Sequence, residues 1–178
     1  IQPHIGIITN IGEAHIENFK DVAGIANAKA EMIDNIKDNG TIIINRDDKF
    51  YRYLYKKAKL KKIKIVTFGK NKKADIYPLK IFKSKDSIKI LVKVKEQKIS
   101  LDIKSINIYN LLASLAVIKE FNLNIDDTKK IFKNYYPSEG RGKMHFISRY
   151  NRRFKLIDES YNANPLSVKN AIKNFNSI

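Results

Sequence analysis

The sequence predicts an α/β protein: a mostly parallel sheet with flanking helices, extended by an antiparallel meander. Three apolar runs of five or six residues alternate with two segments of helical periodicity in the first 68 residues. Strand, helix, strand, helix, strand is the order typical of a parallel sheet. Between residues 75 and 104, apolar and polar residues alternate with a period of two. That period is typical of antiparallel strands with one buried face.

The first half of the chain supplies the elements of the parallel sheet. Asp21 is a suitable N-cap for the first helix, in which Ile25, Met32 and Ile36 lie on one helical face. An Asp-Asn-Gly turn at residues 38–40 ends that helix. The predicted order is strand 5–9, helix 22–36, strand 41–45, helix 47–60 and strand 63–68.

The second half begins with the meander. Polar breaks at residues 85–87 and 96–98 divide the alternating segment into three strands, and an apolar helix follows over residues 106–121. Asp126 or Asp127 is then expected to cap a short helix that continues to residue 135.

A turn-rich segment, residues 137–142, is the predicted linker between two domains, residues 1–139 and residues 140–178. The elements after it look like the beginning of a second, Rossmann-like α/β domain. They are strands at 144–149 and 154–158 around a turn at Asn151, and a helix from Leu166.

Length and composition limit the kind of protein. A chain of 178 residues with 43% apolar residues holds one ordinary domain, or one domain and part of another. No apolar run reaches the length of a transmembrane helix, so no membrane insertion is expected. The absence of cysteine excludes disulfides and fits a reducing cytoplasm. Because the first residues contain neither an initiator methionine nor a signal peptide, we expect a piece of a longer protein.

The net charge of +17 is compatible with nucleic-acid binding. However, 29 of the 35 basic residues are lysines, and they are spread over the whole chain rather than clustered. The charge is therefore assigned to solvated surfaces, and no nucleic-acid partner is expected. A basic field also favours an anionic nucleotide substrate. A non-catalytic basic binding module remains the alternative.

The loop after the first strand holds the residues best placed for chemistry. In open α/β sheets, ligands bind beyond the carboxyl ends of the strands. His15, one of three histidines, lies in this loop, and Lys29 lies in the following helix between two alanines. From the residues alone, His15 can equally be a hydrogen-bonding group of the loop, and Lys29 a solvated helix lysine.

Two parts of the sequence resemble one known family. The segments TNIGEAHIENF and AKAE, at residues 9–19 and 28–31, resemble the middle, ATP-binding domain of the Mur ligases, which build the peptide of bacterial cell-wall precursors. The segment IDESYNANP, at residues 157–165, resembles the branch that adds D-alanyl-D-alanine to UDP-N-acetylmuramoyl-tripeptide. The two motifs lie about 140 residues apart, in the expected order.

The resemblance implies a reaction and its ligands. It implies a cytoplasmic ATP-dependent amide ligase that uses Mg²⁺, forms an acyl phosphate and acts on UDP-N-acetylmuramoyl-tripeptide and D-alanyl-D-alanine; we expect a monomer. Another Mur ligase or a folylpolyglutamate synthase-like ligase is the alternative, against which the YNANP run argues. The sequence contains no Gly-x-x-x-x-Gly-Lys-[Ser/Thr] phosphate loop. We therefore expect that loop upstream, and this chain alone to be inactive.

The resemblance also implies catalytic roles. His15 is expected to bind Mg²⁺, and Lys29 to be carbamylated, which converts a cation into an anion whose two oxygens suit a hard metal. Arg141, between two glycines, is expected to contact phosphate, since a guanidinium forms bidentate bonds to phosphate oxygens. A solvated linker arginine is the alternative.

Two further sets of residues are assigned to the nucleotide. Asn107 and Asn110 match positions that contact adenine through side-chain amides, although Ile106 stands where histidine is common in the family. Helix capping is the alternative role for these asparagines. One of the two adjacent acids, Asp158 and Glu159, is expected to contact the ribose.

The remaining assignments concern polar residues whose side chains indicate no specific chemistry. Asn162 and Asn164 are placed on the substrate side, with turn formation as the alternative. Asn45, Asp47 and Asp48 resemble an asparagine-acidic signature of the family, and we assign them no catalytic role.

Overall fold

The described part of the chain forms eight strands and five helices. The computed structural model describes residues 2–13, 19–84, 87–103, 107–161 and 165–175. In chain order the elements are β1 (Ile5–Ile8), α1 (Val22–Asn35), β2 (Thr41–Asn45), α2 (Tyr51–Leu60), β3 (Lys64–Phe68), β4 (Ile76–Lys83), β5 (Ile88–Val94), β6 (Gln97–Ile103), α3 (Ile108–Glu120), α4 (Ile125–Asn134), β7 (Lys143–Arg149), β8 (Arg152–Asp158) and α5 (Pro165–Phe175).

The larger sheet has six strands in sequence order, β1 to β6. Strands β1, β2 and β3 are parallel neighbours, whereas β4, β5 and β6 pair antiparallel. A single residue pair, Phe68 with Ile76, joins the two halves through a parallel contact. The predicted fold class, a mostly parallel sheet with flanking helices and an antiparallel meander, is confirmed.

Helices cover both faces of this sheet. Strand β2 is buried along its whole length, because its alternate residues point to opposite faces. Ile42 and Ile44 pack in one apolar cluster with α1 and α2, and Ile43 packs in a second cluster with α3. The second cluster also contains the inward residues of the meander, so α3 covers both halves of the sheet.

Helices α2 and α4 start differently from the prediction. Helix α2 begins at Tyr51 rather than residue 47, because the acids before it bind backbone N–H groups of loops: the Asp48 carboxylate accepts from the Phe50 N–H at 2.8 Å. Helix α4 is capped by Asn124, whose side chain accepts from the Asp126 N–H at 3.0 Å. The expected cap at Asp126 or Asp127 was therefore wrong. These two acids lie in the first turn, where negative charge favours the helix dipole.

The last two strands form a separate antiparallel sheet. Strands β7 and β8 pair only with each other within the described residues. Tyr150 and Asn151 join them with φ angles of 52° and 58°, which matches a two-residue hairpin turn at the predicted place. A domain boundary at residues 139 and 140 stays a prediction. No helix in the described ranges is long and apolar enough to cross a bilayer.

A buried carboxylate fastens α3 to the sheet. The Glu120 side chain is 3% exposed and lies 2.7 Å from Lys64 Nζ and 2.8 Å from Lys95 Nζ. The Thr41 hydroxyl donates to the same carboxylate at 3.3 Å. Burial opposes ionisation, but the hydrogen bonds from the two lysines outweigh it and hold the pKa of Glu120 below its usual value. The end of α3 is thus tied to β2, to β3 and to the turn between β5 and β6.

The Glu120 network leads to a stability prediction. Glu120→Gln should lower the free energy of unfolding by about 2 kcal/mol at neutral pH, since hydrogen bonds to charged groups are worth roughly 1.5–3 kcal/mol. Because the folded-state pKa is lowered, this contribution is present above an unfolded pKa of about 4.3 and is lost as pH falls through the folded-state value. Urea unfolding at neutral and acidic pH measures both effects.

The matched control is Asp34→Asn. Asp34 also lies 2.7 Å from a lysine, Lys57, but its side chain is 56% exposed. An exposed pair contributes about 0–1 kcal/mol. Equal losses from the two substitutions would contradict a special role for the buried network.

Candidate functional site

Three loops meet at the carboxyl end of the parallel strands. The Asn45 side-chain amide donates to the Thr9 carbonyl at 3.1 Å. The Asp48 carboxylate accepts from the buried Ile11 N–H at 2.7 Å. Two side chains that follow β2 therefore hold the loop that follows β1. This is the edge of the sheet at which the sequence places the candidate site.

Lys29 reaches the same loop from α1. It is partly buried, and its Nζ donates to the Asn10 carbonyl at 2.9 Å. The interpretation as a solvated helix lysine is therefore incomplete, because the ammonium has a backbone partner beside β1. His15 lies outside the described residues. Within the described ranges, no three His, Cys, Asp or Glu side chains are grouped closely enough to hold a metal. The metal-binding roles of His15 and Lys29 stay predictions.

Asp47 connects two further parts of this edge. Its carboxylate accepts the backbone N–H groups of Lys70 and Asn71 after β3, the latter at 3.2 Å. It also hydrogen-bonds the phenol of Tyr109 in the first turn of α3. Burial, and then the charge of Asp47, raise the pKa of Tyr109. A Cβ at Gly69 would lie 2.8 Å from the Asp47 carboxylate, so glycine leaves the space that the carboxylate needs.

This role of Asp47 is hard to predict from the sequence. An acid one residue beyond a buried strand is a weak signal, because such a residue often serves its own turn. The partners of Asp47 are more than twenty residues away along the chain, and no local pattern reveals them.

Asn107 and Asn110 lie at the start of α3, next to the loop held by Asp47. Asn107 is the N-cap: its side-chain oxygen accepts from the Tyr109 N–H at 2.9 Å. The capping alternative is thus confirmed for that oxygen, while the amide NH₂ retains its two donors. Asn110 is exposed and lies three residues on, and residues at that spacing are neighbours on the helix surface. Contact with adenine stays a prediction.

The glycine-flanked turn at residues 140–142 is fastened to the end of β8. Gly140 and Gly142 have φ angles of 71° and 93°, which favour glycine. The Gly140 N–H donates to the Asp158 carboxylate at 2.9 Å, and the Gly142 N–H donates to the Asp158 carbonyl at 2.7 Å. The Tyr161 N–H donates back to the Gly140 carbonyl at 3.0 Å. Arg141 lies at the centre of this arrangement.

Arg141 is exposed but not simply solvated. Its guanidinium carbon lies 3.9 Å from the centroid of the Tyr161 ring. The interpretation as a solvated linker arginine is therefore incomplete, because the guanidinium also contacts an aromatic ring. Contact with phosphate is not tested by this geometry and stays a prediction.

The two adjacent acids differ in what they bind. The Ser160 hydroxyl donates to the Asp158 carboxylate at 2.6 Å; this bond, followed by those from the Gly140 and Ser160 N–H groups, lowers the pKa of Asp158. The Glu159 carboxylate is exposed and has no hydrogen-bonded partner in the described part of the chain. It lies beside Gly142, where an added Cβ would be 3.2 Å from Glu159 Oε1. Asn162 and Asn164 lie outside the described residues.

The fold and the strand-end site define one class of protein. Residues 1–118 match the family model of the Mur ligase middle domain. The chain belongs to the Mur ligase family.

Particular relatives narrow the comparison. The UDP-N-acetylmuramoyl-tripeptide–D-alanyl-D-alanine ligase of Buchnera aphidicola subsp. Baizongia pistaciae is 28% identical over 175 residues, which are 97% of this chain and 37% of that protein. The UDP-N-acetylmuramoylalanine–D-glutamate ligase of Fusobacterium nucleatum is 34% identical over 181 residues, which are 99% of this chain and 39% of that protein.

Solved structures agree with this assignment. MurF from Acinetobacter baumannii has a TM-score of 0.80 and 26% identity, over 94% of this chain and 36% of that chain. MurF ligase from Thermotoga maritima in complex with ADP shares the fold, with a TM-score of 0.80 and 20% identity over 97% of this chain and 39% of that chain. The chain thus spans a little more than one third of the length of these relatives.

The hydrogen bonds of Asp158 lead to a pH prediction. Since its folded-state pKa is lowered, the ionised carboxylate should hold the Gly140 N–H until the pH falls below the usual aspartate value of about 3.9. The amide proton signal of Gly140, followed by NMR through an acid titration, should shift with a midpoint below that value. In Asp158→Asn the signal should stay flat over the same range. A wild-type midpoint at or above 3.9 would contradict the assigned bonding.

Proposed function

We propose that this chain is part of an ATP-dependent ligase that adds D-alanyl-D-alanine to UDP-N-acetylmuramoyl-tripeptide. The observation that carries the proposal is the match, over nearly the whole chain, to relatives with that activity from Buchnera aphidicola. The IDESYNANP segment favours this branch over other Mur ligases, one of which shares a higher identity with the chain.

The proposed reaction has two steps. The terminal carboxylate of the tripeptide attacks the γ-phosphorus of ATP, which gives an acyl phosphate and ADP. The amine of D-alanyl-D-alanine then attacks the acyl carbon, and the tetrahedral intermediate expels inorganic phosphate to leave an amide. Both steps develop negative charge on oxygen, which positively charged and N–H groups of a preorganised site stabilise.

Lys29 and His15 are proposed to hold Mg²⁺, which supplies charge neutralisation at the reacting oxygens when it is bound. Magnesium prefers oxygen ligands, and a carbamate on Lys29 provides two. The position of Lys29 supports this role, because its Nζ lies beside the Asn10 carbonyl at the carboxyl end of β1. A carbamate keeps one N–H on Nζ, so the bond to Asn10 is compatible with the modification.

The nucleotide is proposed to lie between the start of α3 and the glycine-flanked turn at residues 140–142. The amide groups of Asn107 and Asn110 contact adenine, as the capping geometry leaves donors on Asn107. Glu159 rather than Asp158 contacts the ribose, because both Asp158 oxygens already accept hydrogen bonds from Gly140 and Ser160. The ADP complex of the Thermotoga maritima relative supports nucleotide binding in this fold.

Arg141 is proposed to contact phosphate, and Asn162 and Asn164 the amino-acid substrates. Stacking occupies a face of the guanidinium and leaves the N–H groups at its edge available for bidentate bonds to oxygen.

We also propose that residues 1–139 and 140–178 belong to different domains whose closure assembles the site. The separate sheets support this division, since β7 and β8 pair with each other and not with β1 to β6 in the described ranges. The proposed protein is a cytoplasmic monomer. The spread of the lysines over the chain argues against a nucleic-acid partner.

The test uses the full-length protein that contains this chain. Phosphate release from ATP should require both UDP-N-acetylmuramoyl-tripeptide and D-alanyl-D-alanine. Release with UDP-N-acetylmuramate and L-alanine, or with UDP-N-acetylmuramoylalanine and D-glutamate, would assign it to another Mur ligase. Turnover of a folate substrate with glutamate would favour the folylpolyglutamate synthase alternative. Salt-dependent DNA binding without phosphate release would favour a basic binding module.

A second prediction tests the carbamate. In the full-length enzyme, Lys29→Ala should lower turnover by roughly 100-fold or more, the range for loss of one preorganised charge-stabilising group. Short-chain carboxylates should partly restore activity, because a small acid replaces the lost anion. Lys29→Arg should also fail, since arginine forms no stable carbamate.

Lys37→Ala is the matched control, as Lys37 follows the same helix and is exposed. It should keep wild-type turnover. Wild-type activity in Lys29→Ala would make Lys29 a structural lysine that only anchors the Asn10 carbonyl.

A further inference from the structure

The contact between Arg141 and Tyr161 is unusually close for two exposed side chains. The guanidinium carbon lies 3.9 Å from the ring centroid, while the other cation–ring contacts in the described residues range from 4.9 to 5.9 Å. The Tyr161 side chain is 66% exposed, so packing into a core does not force the contact. A distance this short indicates that the guanidinium lies over the face of the ring.

The backbone around the two residues fixes their separation. The Tyr161 N–H donates to the Gly140 carbonyl at 3.0 Å, and the Gly140 N–H donates to the Asp158 carboxylate at 2.9 Å. Two hydrogen bonds, one accepted and one donated by the Gly140 backbone, therefore join the residue before Arg141 to Tyr161 and to Asp158 at the end of β8. A Cβ at Gly140 would lie 2.8 Å from both the backbone N and the Cβ of Tyr161. Glycine at 140 is thus required for Tyr161 to approach.

Stacking changes what an exposed arginine can do. A free arginine side chain samples many rotamers, and a ligand that binds it must restrict them. A guanidinium that already lies against a rigid ring keeps a defined plane, and its N–H edge stays available for an oxyanion.

We propose that Tyr161 is a positioning residue, which holds the guanidinium of Arg141 ready for a phosphoryl group of the nucleotide. Asp158 supports the pair by fixing the Gly140 backbone to the Tyr161 loop. This inference rests on the proposed function, in which Arg141 binds phosphate. The aromatic ring, not the hydroxyl, is the part of Tyr161 that acts.

The test measures ATP kinetics in the full-length ligase. Tyr161→Leu should lower kcat/KM for ATP about 10-fold, mainly by raising KM. A loss of this size lies within the free-energy range of a cation–π contact. Tyr161→Phe should restore most of the loss, because it keeps the ring. In the double variant Tyr161→Leu with Arg141→Ala, the defect should equal that of Arg141→Ala alone, since the ring acts only through the arginine.

The matched control is Tyr150→Leu. Tyr150 also contacts an arginine, Arg149, but at 5.0 Å and in the hairpin turn. It should leave the KM for ATP unchanged. Melting curves of all variants show whether any effect reflects loss of folding. In NMR spectra, the ring current of Tyr161 should shift the Arg141 δ protons upfield, and loss of this shift in Tyr161→Leu reports the stack directly.

The outcomes separate the two proposals. If Arg141→Ala raises the KM for ATP but Tyr161→Leu does not, Arg141 binds phosphate and the positioning role is overturned. If Tyr161→Phe is as defective as Tyr161→Leu, or if the two single defects multiply in the double variant, the ring does not act through Arg141. If Arg141→Ala leaves the KM unchanged, the phosphate role of Arg141 fails, and the positioning role fails with it.

Discussion

The candidate site depends on the few polar side chains that follow the central parallel strand. β2 is buried on both faces, so its carboxyl end is a fixed point. From there Asn45 and Asp48 bind the loop after β1, and Asp47 binds the loop after β3. Loop N–H and C=O groups beside a buried strand must find partners. By supplying them, one short segment sets the positions of both neighbouring loops, and Lys29 joins the arrangement from α1.

The glycine-flanked turn at residues 140–142 uses the same device. Asp158 ends β8 and accepts N–H groups from the Gly140 backbone and from Ser160. In both places a carboxylate at the end of a strand orders a loop distant in sequence. The two places differ in the solvent exposure of nearby side chains: Ile11 is buried, whereas Tyr161 and Arg141 are exposed. Ile11 and Gly140, whose N–H groups these carboxylates accept, are nevertheless both buried residues, so in each place the bond is partly shielded from water.

Periodicity was enough to predict the strands and most helices, because β2 is a continuous apolar run buried on both faces and the meander alternates with a period of two, as burial of one face requires. It failed where a side chain has a distant or ambiguous partner. Asp47 and Asp48 are equally suitable residues for the start of a helix. Asn124, Asp126 and Asp127 are all suitable N-caps for α4, and the sequence alone does not show which one serves. Asp158 and Glu159 are chemically alike and adjacent, and the hydrogen bonds from Gly140 and Ser160 distinguish them. The sequence predicted where Lys29 would lie, but not its bond to the Asn10 carbonyl.

The junction between β3 and β4 has a consequence for how this fold tolerates change. One residue pair, Phe68 with Ile76, joins the parallel strands to the meander, and α3 packs across both. Hydrogen bonds between Thr67 and Asp75 and the packing of α3 therefore maintain the continuity of the sheet beside this one ladder pair. We therefore expect changes of length in the turns of the meander to leave the register of β1 to β3 unchanged. The strand ends of the parallel half and the turns of the meander are thus structurally separable, as long as the apolar face of α3 is preserved.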